Sequence, residues 1–177
     1  MRKAVYVLLF LFPRLLVAQN KQQAYIDSLV NQLSAARNDT NKINQLDLVS
    51  FAYSSVDPDM GIHYATKAKK LSEELEWEKG IARANADLGI NYREKSEYDK
   101  SLEYYQLALE EYRLQGMKSS MAGVLANISL VYLAKSDFSK ALENAFEAEK
   151  ICEELPDKTT LAAIKEDIAV IYMDQQE

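Results

Sequence analysis

Apolar residues recur along most of the chain at steps of three and four, the stripe of an amphipathic helix, and alternating strand patterns are missing. One such stripe runs through Tyr98, Ser101, Leu102, Tyr105, Ala108, Leu109 and Tyr112. The helices come in pairs, and the pairs repeat. At a shift of 40 residues, LGINYREKSEYDKSLEYYQLALEEY from Leu88 falls on ISLVYLAKSDFSKALENAFEAEKIC from Ile128. Tyr92 then meets Tyr132, Ser96 meets Ser136, Leu102 meets Leu142, and Ala108 meets Ala148. The same shift places Leu48, Leu88, Ile128 and Ile168 in one column and Ala68, Ala108 and Ala148 in another. Tyr172 joins Tyr92 and Tyr132, while the first copy has Ala52 there.

Helix boundaries follow from cap-type residues. Thr40, Gly80, Ser120 and Thr160 share a column and predict the start of the first helix in each copy. Ser96, with Asp99 three residues on, predicts a capping box that opens the second helix. Asp57-Pro58 does the same in the first copy, with Pro58 at the first helical position. The alanine column lets the two helices of a pair approach closely. Five Gly and three Pro suit long helices joined by short turns.

The chain therefore divides into a capping helix in 19–39, repeats at 40–79, 80–119 and 120–159, and the first helix of an incomplete fourth copy at 160–177. The capping stripe is Tyr25, Ile26, Leu29, Val30, Leu33 and Ala36, which would cover one end of a stack. At the other end, Ile164, Ile168, Ile171 and Tyr172 would pack in part on Ala145, Ala148 and Cys152. The rest of that stripe would await a further helix, so the sequence is expected to continue beyond Glu177. As it stands, the end should fray after about Lys158 or self-associate through this helix.

Leu88-Gly89, Tyr92, Ser101, Tyr105 and Ala108 resemble the tetratricopeptide repeat, in a form with a period of 40. Asn85 stands where that family has Trp, and Arg113 where it has Pro. The resemblance implies an all-α fold, an α-solenoid of antiparallel helix pairs in a right-handed superhelix. It also implies a concave side lined by the first helices. Its groove would carry Ser50, Ile90, Leu130 and Val170 in one row and Tyr53, Arg93, Leu133 and Met173 in the next. These rows depart from the Asn and basic residues with which family members grip a C-terminal carboxylate. An apolar groove suits an amphipathic helix or an extended apolar peptide.

The first residues add a location. Arg2 and Lys3 precede an apolar run from Ala4 to Phe12, resumed from Leu15 to Ala18. Residues 1–18 read as an export signal cut before Gln19, which places the mature chain in a periplasm. The formal net charge of −6 and the lack of a basic cluster argue against nucleic acid. Cys152 is the single cysteine, so no internal disulfide forms, and His63 is the single histidine. One His and one Cys do not make a zinc site of ordinary composition. His63 falls in a solvated column, and Cys152 lies on an apolar stripe. No cofactor, no metal and no enzymatic activity are expected.

The function read from the sequence is a scaffold that binds a protein or peptide. Segments such as IDSLVNQL…NDTNKINQL resemble the exported sensor regions of Bacteroidetes-type signalling proteins. The alternative is a regulatory arm of an enzyme, a histidine kinase or cyclase, whose catalytic domain lies beyond Glu177. Either way, membrane attachment would come only through sequence after that residue.

Overall fold

The computed structural model describes residues 21–34, 36–156 and 158–175. The export segment at 1–18 lies outside them. Eight helices follow one another among the described residues: α1 (21–34), α2 (Thr40–Ser54), α3 (Pro58–Glu74), α4 (Glu78–Glu94), α5 (Tyr98–Leu114), α6 (Lys118–Ala134), α7 (Phe138–Glu153) and α8 (Thr159–Asp174). From α2 to α8 each helix packs on the next, and the first helices also touch, α2 on α4, α4 on α6 and α6 on α8. The fold is an all-α solenoid of antiparallel helix pairs, the architecture that the repeat predicts.

The repeat is visible in single bonds. The Ser101 hydroxyl donates to the Gly89 carbonyl at 2.7 Å, tying α5 to α4. One copy later the Ser129 hydroxyl donates to the Ala141 carbonyl at 2.8 Å. Both bonds lie where small residues let two backbones approach, and both satisfy a buried hydroxyl that would otherwise be costly. On the surface, Lys95 pairs with Asp59 at 2.6 Å, and Lys135 pairs with Asp99 at 2.5 Å.

Turns follow a second period. Glu76, Ser96, Gly116 and Ser136 all have positive φ, between 51° and 67°. They stand 20 residues apart and end α3, α4, α5 and α6. At each, the next amide donates back across five residues: Trp77 to Ser72, Glu97 to Tyr92, Met117 to Tyr112 and Asp137 to Tyr132, all at 2.8 to 2.9 Å. This is the left-handed helix stop that satisfies the last carbonyls. Ser96 is thus a C-terminal residue of α4 and not a cap of α5, whose N-cap is Glu97 without a side-chain bond.

The turn after α2 differs. No residue there has positive φ, and the Asp57 amide donates back across only four residues, to the Tyr53 carbonyl at 2.8 Å. This turn is one residue tighter, so α2 sits one residue out of step with the 40-residue register. Val49, and not Leu48, occupies the buried column of Leu88 and Ile128. Tyr53, and not Ala52, takes the place of Tyr92: it stacks on Tyr64 as Tyr92 stacks on Tyr104.

The predicted cap column is corrected as well. Gly80, Ser120 and Thr160 lie inside their helices, whose N-caps are Trp77, Met117 and Lys158, none with a side-chain cap bond. Thr40 follows the true cap, Asp39, whose carboxylate accepts from the amides of Asn41 and Lys42. Gly80 serves packing instead. A Cβ there would come within 2.4 Å of the Ser72 hydroxyl and the Trp77 ring. Asp57 caps α3 as predicted, accepting from the Met60 amide, with Pro58 opening the helix.

Both ends of the stack are engaged. Leu33 of α1 joins the core of Ile43, Leu46, Val49, Tyr64 and Leu71. On α8, Ile164 packs with Ala148 and Cys152, and Ile171 with Ala145, the partners that the sequence indicates, and Ile171 also meets Ala141. Val170, Tyr172 and Met173 remain exposed.

Candidate functional site

The face lined by the first helices carries the candidate site, and its best-formed part lies between α2 and α4. The one-residue displacement of α2 decides which side chains appear there. Ser50, expected in the groove, is 0% exposed. Its hydroxyl donates to the Gly61 carbonyl at 2.9 Å and accepts from the Asn91 amide at 3.0 Å. Tyr53 is half-buried against Tyr64, with ring centroids 5.6 Å apart. Both belong to the α2–α3 contact, because the tighter turn brings them into the positions of Gly89 and Tyr92.

Phe51 and Ser54 take their places. Phe51 is 62% exposed and Leu48 is 51% exposed. With Ser54 they meet Ile90, Arg93 and Glu94 of α4 and Tyr25 of α1 around a depression of about 420 Å³. Two of the expected groove residues, Ile90 and Arg93, are therefore brought together here. Arg93 is held on both sides, by Glu94 at 2.8 Å and by Asn127 of α6 at 2.9 Å. This bond links the face of α4 to that of α6. Leu130 is half-buried on α6. Leu133 packs on the cluster of Ala141, Ala145 and Ile171 and so contributes to the core. Val170 and Met173 lie exposed on α8, outside the α2–α4 depression.

A second depression of about 220 Å³ continues along α2 and α4 and shares Leu48 and Phe51 with the first. Asp47, Arg83, Asp87 and Tyr112 line it. Arg83 reaches the Asp47 carboxylate at 2.6 Å and the Asn44 side chain at 2.6 Å, and its guanidinium lies 6.0 Å from the Trp77 ring centroid. The two carboxyls act on each other's charge across this depression, and each is pushed toward its neutral form. Burial pushes Asp47 up to about 6, against the opposing pull of Arg83. Asp87 is raised well above the usual carboxylate range, first by burial and then by the charge of Asp47. Burial also raises the Tyr112 hydroxyl, and Asp87 adds to that rise.

Sequence reasoning missed Leu48, Phe51 and this acid pair. Shifting the first copy by one residue, so that Tyr53 falls on Tyr92, exposes Leu48 and Phe51 in the pattern. Nothing in the local sequence marks Asp47 or Asp87, which look like ordinary surface charges.

Helix pairs in tandem, with a face built from the first helix of each, define a helical-repeat solenoid. Two solved structures share it. The crystal structure of BtubC (BKLC) from P. vanneervenii superposes with a TM-score of 0.68 at 18% identity, over 89% of this chain and 66% of that one. The apo form of RapI superposes with a TM-score of 0.72 at 20% identity, over 90% of this chain and 60% of that one. The chain thus spans about three fifths to two thirds of each neighbour's length. Both likenesses establish the fold, and both fit a repeat of the tetratricopeptide type. No family model matches the chain, and no curated protein matches it.

Proposed function

We propose that this chain is a binding scaffold that holds a peptide or protein segment against the face formed by α2 and α4. The observation that carries this reading is the joint exposure of Leu48 and Phe51 beside Ile90, over a continuous pair of depressions. Burying a side chain of this size contributes roughly 1.5–3 kcal/mol, which the free fold forgoes at both positions. Neighbouring large apolar side chains left open on one face mark interaction surfaces. The fold offers the rest: rigid helices fix the spacing of side chains that a peptide would meet.

The test is a synthetic array of short random peptides probed with the full chain and with Phe51→Glu and Leu48→Glu. Binding should fall in both variants while melting temperature stays put, because both side chains are exposed. Glu103→Lys, on an exposed position of α5, should bind as the parent does. Binding that survives both groove substitutions would overturn the reading.

We further propose that the scaffold works outside the cytoplasm as the sensing or interaction part of a longer signalling protein, without turnover of its own. The basic and then apolar start of the chain supports export. Cell fractionation with N-terminal sequencing tests it: a mature chain beginning at Gln19 is the expected result, and an intact Met1 in the cytoplasm would defeat it. The downstream reading frame tests the rest. A stretch of roughly 20 apolar residues followed by an output domain is expected.

A further inference from the structure

We infer that the floor of the α2–α4 face is a socket for a basic side chain, so that the segment bound there carries a lysine or arginine next to an apolar residue. This inference rests on the peptide-binding reading and specifies its ligand. Three observations lead to it.

The first is an unmet demand for donors. Asp47 is 6% exposed and lines the smaller depression. Its Oδ1 is buried and has no hydrogen-bond partner, and neither does the buried Oδ2 of Asp87. Buried carboxylate oxygens are normally satisfied, and each exception calls for a proton, a water or a cation.

The second is the balance of charge. The groups whose charge acts with the pair are Arg83 from the same helix as Asp87, and the Tyr105 and Tyr112 hydroxyls from α5. Arg83 is already committed to Asp47 and Asn44 and leans on Trp77. Two carboxyls therefore share one guanidinium. When both are ionised the site is one positive charge short. In the free protein burial and the charge of the two acids favour a proton shared between them, which makes up the difference. An ammonium or guanidinium from a partner supplies the same charge with several donors.

The third is what surrounds the site. Leu48 and Phe51 stand at its rim and continue into the larger depression with Ile90. A long basic side chain has an apolar stem and a charged head. Its stem would lie along Leu48 and Phe51, and its head would meet Asp47 and Asp87. Binding then exchanges the shared proton for the incoming cation, and the proton leaves to solvent.

The experiment uses the full chain and arrays of short peptides with random flanks and one fixed central residue: lysine, arginine, norleucine or glutamate. Lysine and arginine arms should bind best and glutamate worst. Affinity for a selected lysine peptide should rise as pH climbs from about 4 to about 6, by up to about tenfold per pH unit while one proton is displaced. The norleucine counterpart should show no such rise. Asp87→Asn should remove both the preference and the pH dependence, whereas Glu103→Gln, which changes net charge equally at an exposed site, should remove neither. If Asp87→Asn does not fold, the pH profile of the parent chain decides alone. Equal binding of lysine and norleucine arms, without pH dependence, would overturn the socket and leave an apolar groove. No binding in any arm would overturn the groove as well.

Discussion

Tyr53 stacks on Tyr64 with ring centroids 5.6 Å apart and planes 6° from parallel, the same contact that Tyr92 makes with Tyr104 at 5.3 Å and 2°. Tyr64 and Tyr104 are 40 residues apart, whereas Tyr53 and Tyr92 are 39 apart. The pair therefore fixes the register of α2. Replacing Tyr53 by Ala should cost about 1–3 kcal/mol, since a half-buried ring and its stacking are both lost. Leu48→Ala should stay within about 0.5 kcal/mol, as expected for an exposed residue. Denaturant unfolding of the two variants checks this; the opposite order would restore Leu48 to the core column.

Two glycines should respond in opposite directions to the same change. A Cβ at Gly89 would lie 2.5 Å from the ring of the buried Tyr105. Gly89→Ala should destabilise by about 1–3 kcal/mol, because the overpacked ring has nowhere to go. Nothing lies within 4 Å of a Cβ at Gly123. Gly123→Ala should stabilise by up to about 1 kcal/mol through helix propensity alone. Thermal or denaturant unfolding of both variants reads the sign directly.

Stability should carry the signature of the acid pair. Burial pushes Asp47 up to about 6 in the folded chain, whereas in the unfolded chain it returns to the ordinary carboxylate value of 3.8. A raised acid stabilises fully below the lower value and loses that contribution as pH rises through the upper one. Asp87 acts in the same direction. Exposed acids such as Asp137 and Glu154 are lowered by lysines and act oppositely, so the comparison must be made against a variant. In Asp87→Asn, the fall in stability between about pH 4 and about pH 6 should be smaller than in the parent chain. Unfolding of both proteins at several pH values gives the result; parallel profiles would refute the coupling.

The packing of α8 predicts a contrast along one helix. Ile171 is buried against Ala141 and Ala145, and Ile171→Ala should cost about 2–4 kcal/mol. Met173, two residues on, is 60% exposed, so Met173→Ala should change little. Hydrogen exchange across residues 159–174 would show whether the loss is local to α8 or spreads to α7.

Most of the fold was legible because α4 to α7 repeat the same turn, and a fixed turn keeps a 40-residue alignment true. The error in α2 has a simple origin. Leu48 and Val49 are both apolar, as are Ala52 and Tyr53 in part, so a slip of one residue leaves the helical stripe looking intact. The cap column misled for a related reason: Gly80 is small because Ser72 and Trp77 press on it, and composition alone does not separate a cap from a close approach. Ile90 and Arg93 were found because their helix was in register. Asp47 and Asp87 were not, because their meeting is a property of two helices folded together.

The tight turn after α2 also shows how such an array can change what it presents. Omitting one residue between two helices turns the outward set of side chains by about 100° about the helix axis. Here that swaps a hydroxyl and a phenol for a phenyl ring and a second small hydroxyl, with no substitution in the helix itself. A length change of one in a connecting loop thus acts as a dial on surface chemistry, and a lineage of these proteins could acquire a new ligand through a single codon lost from a turn.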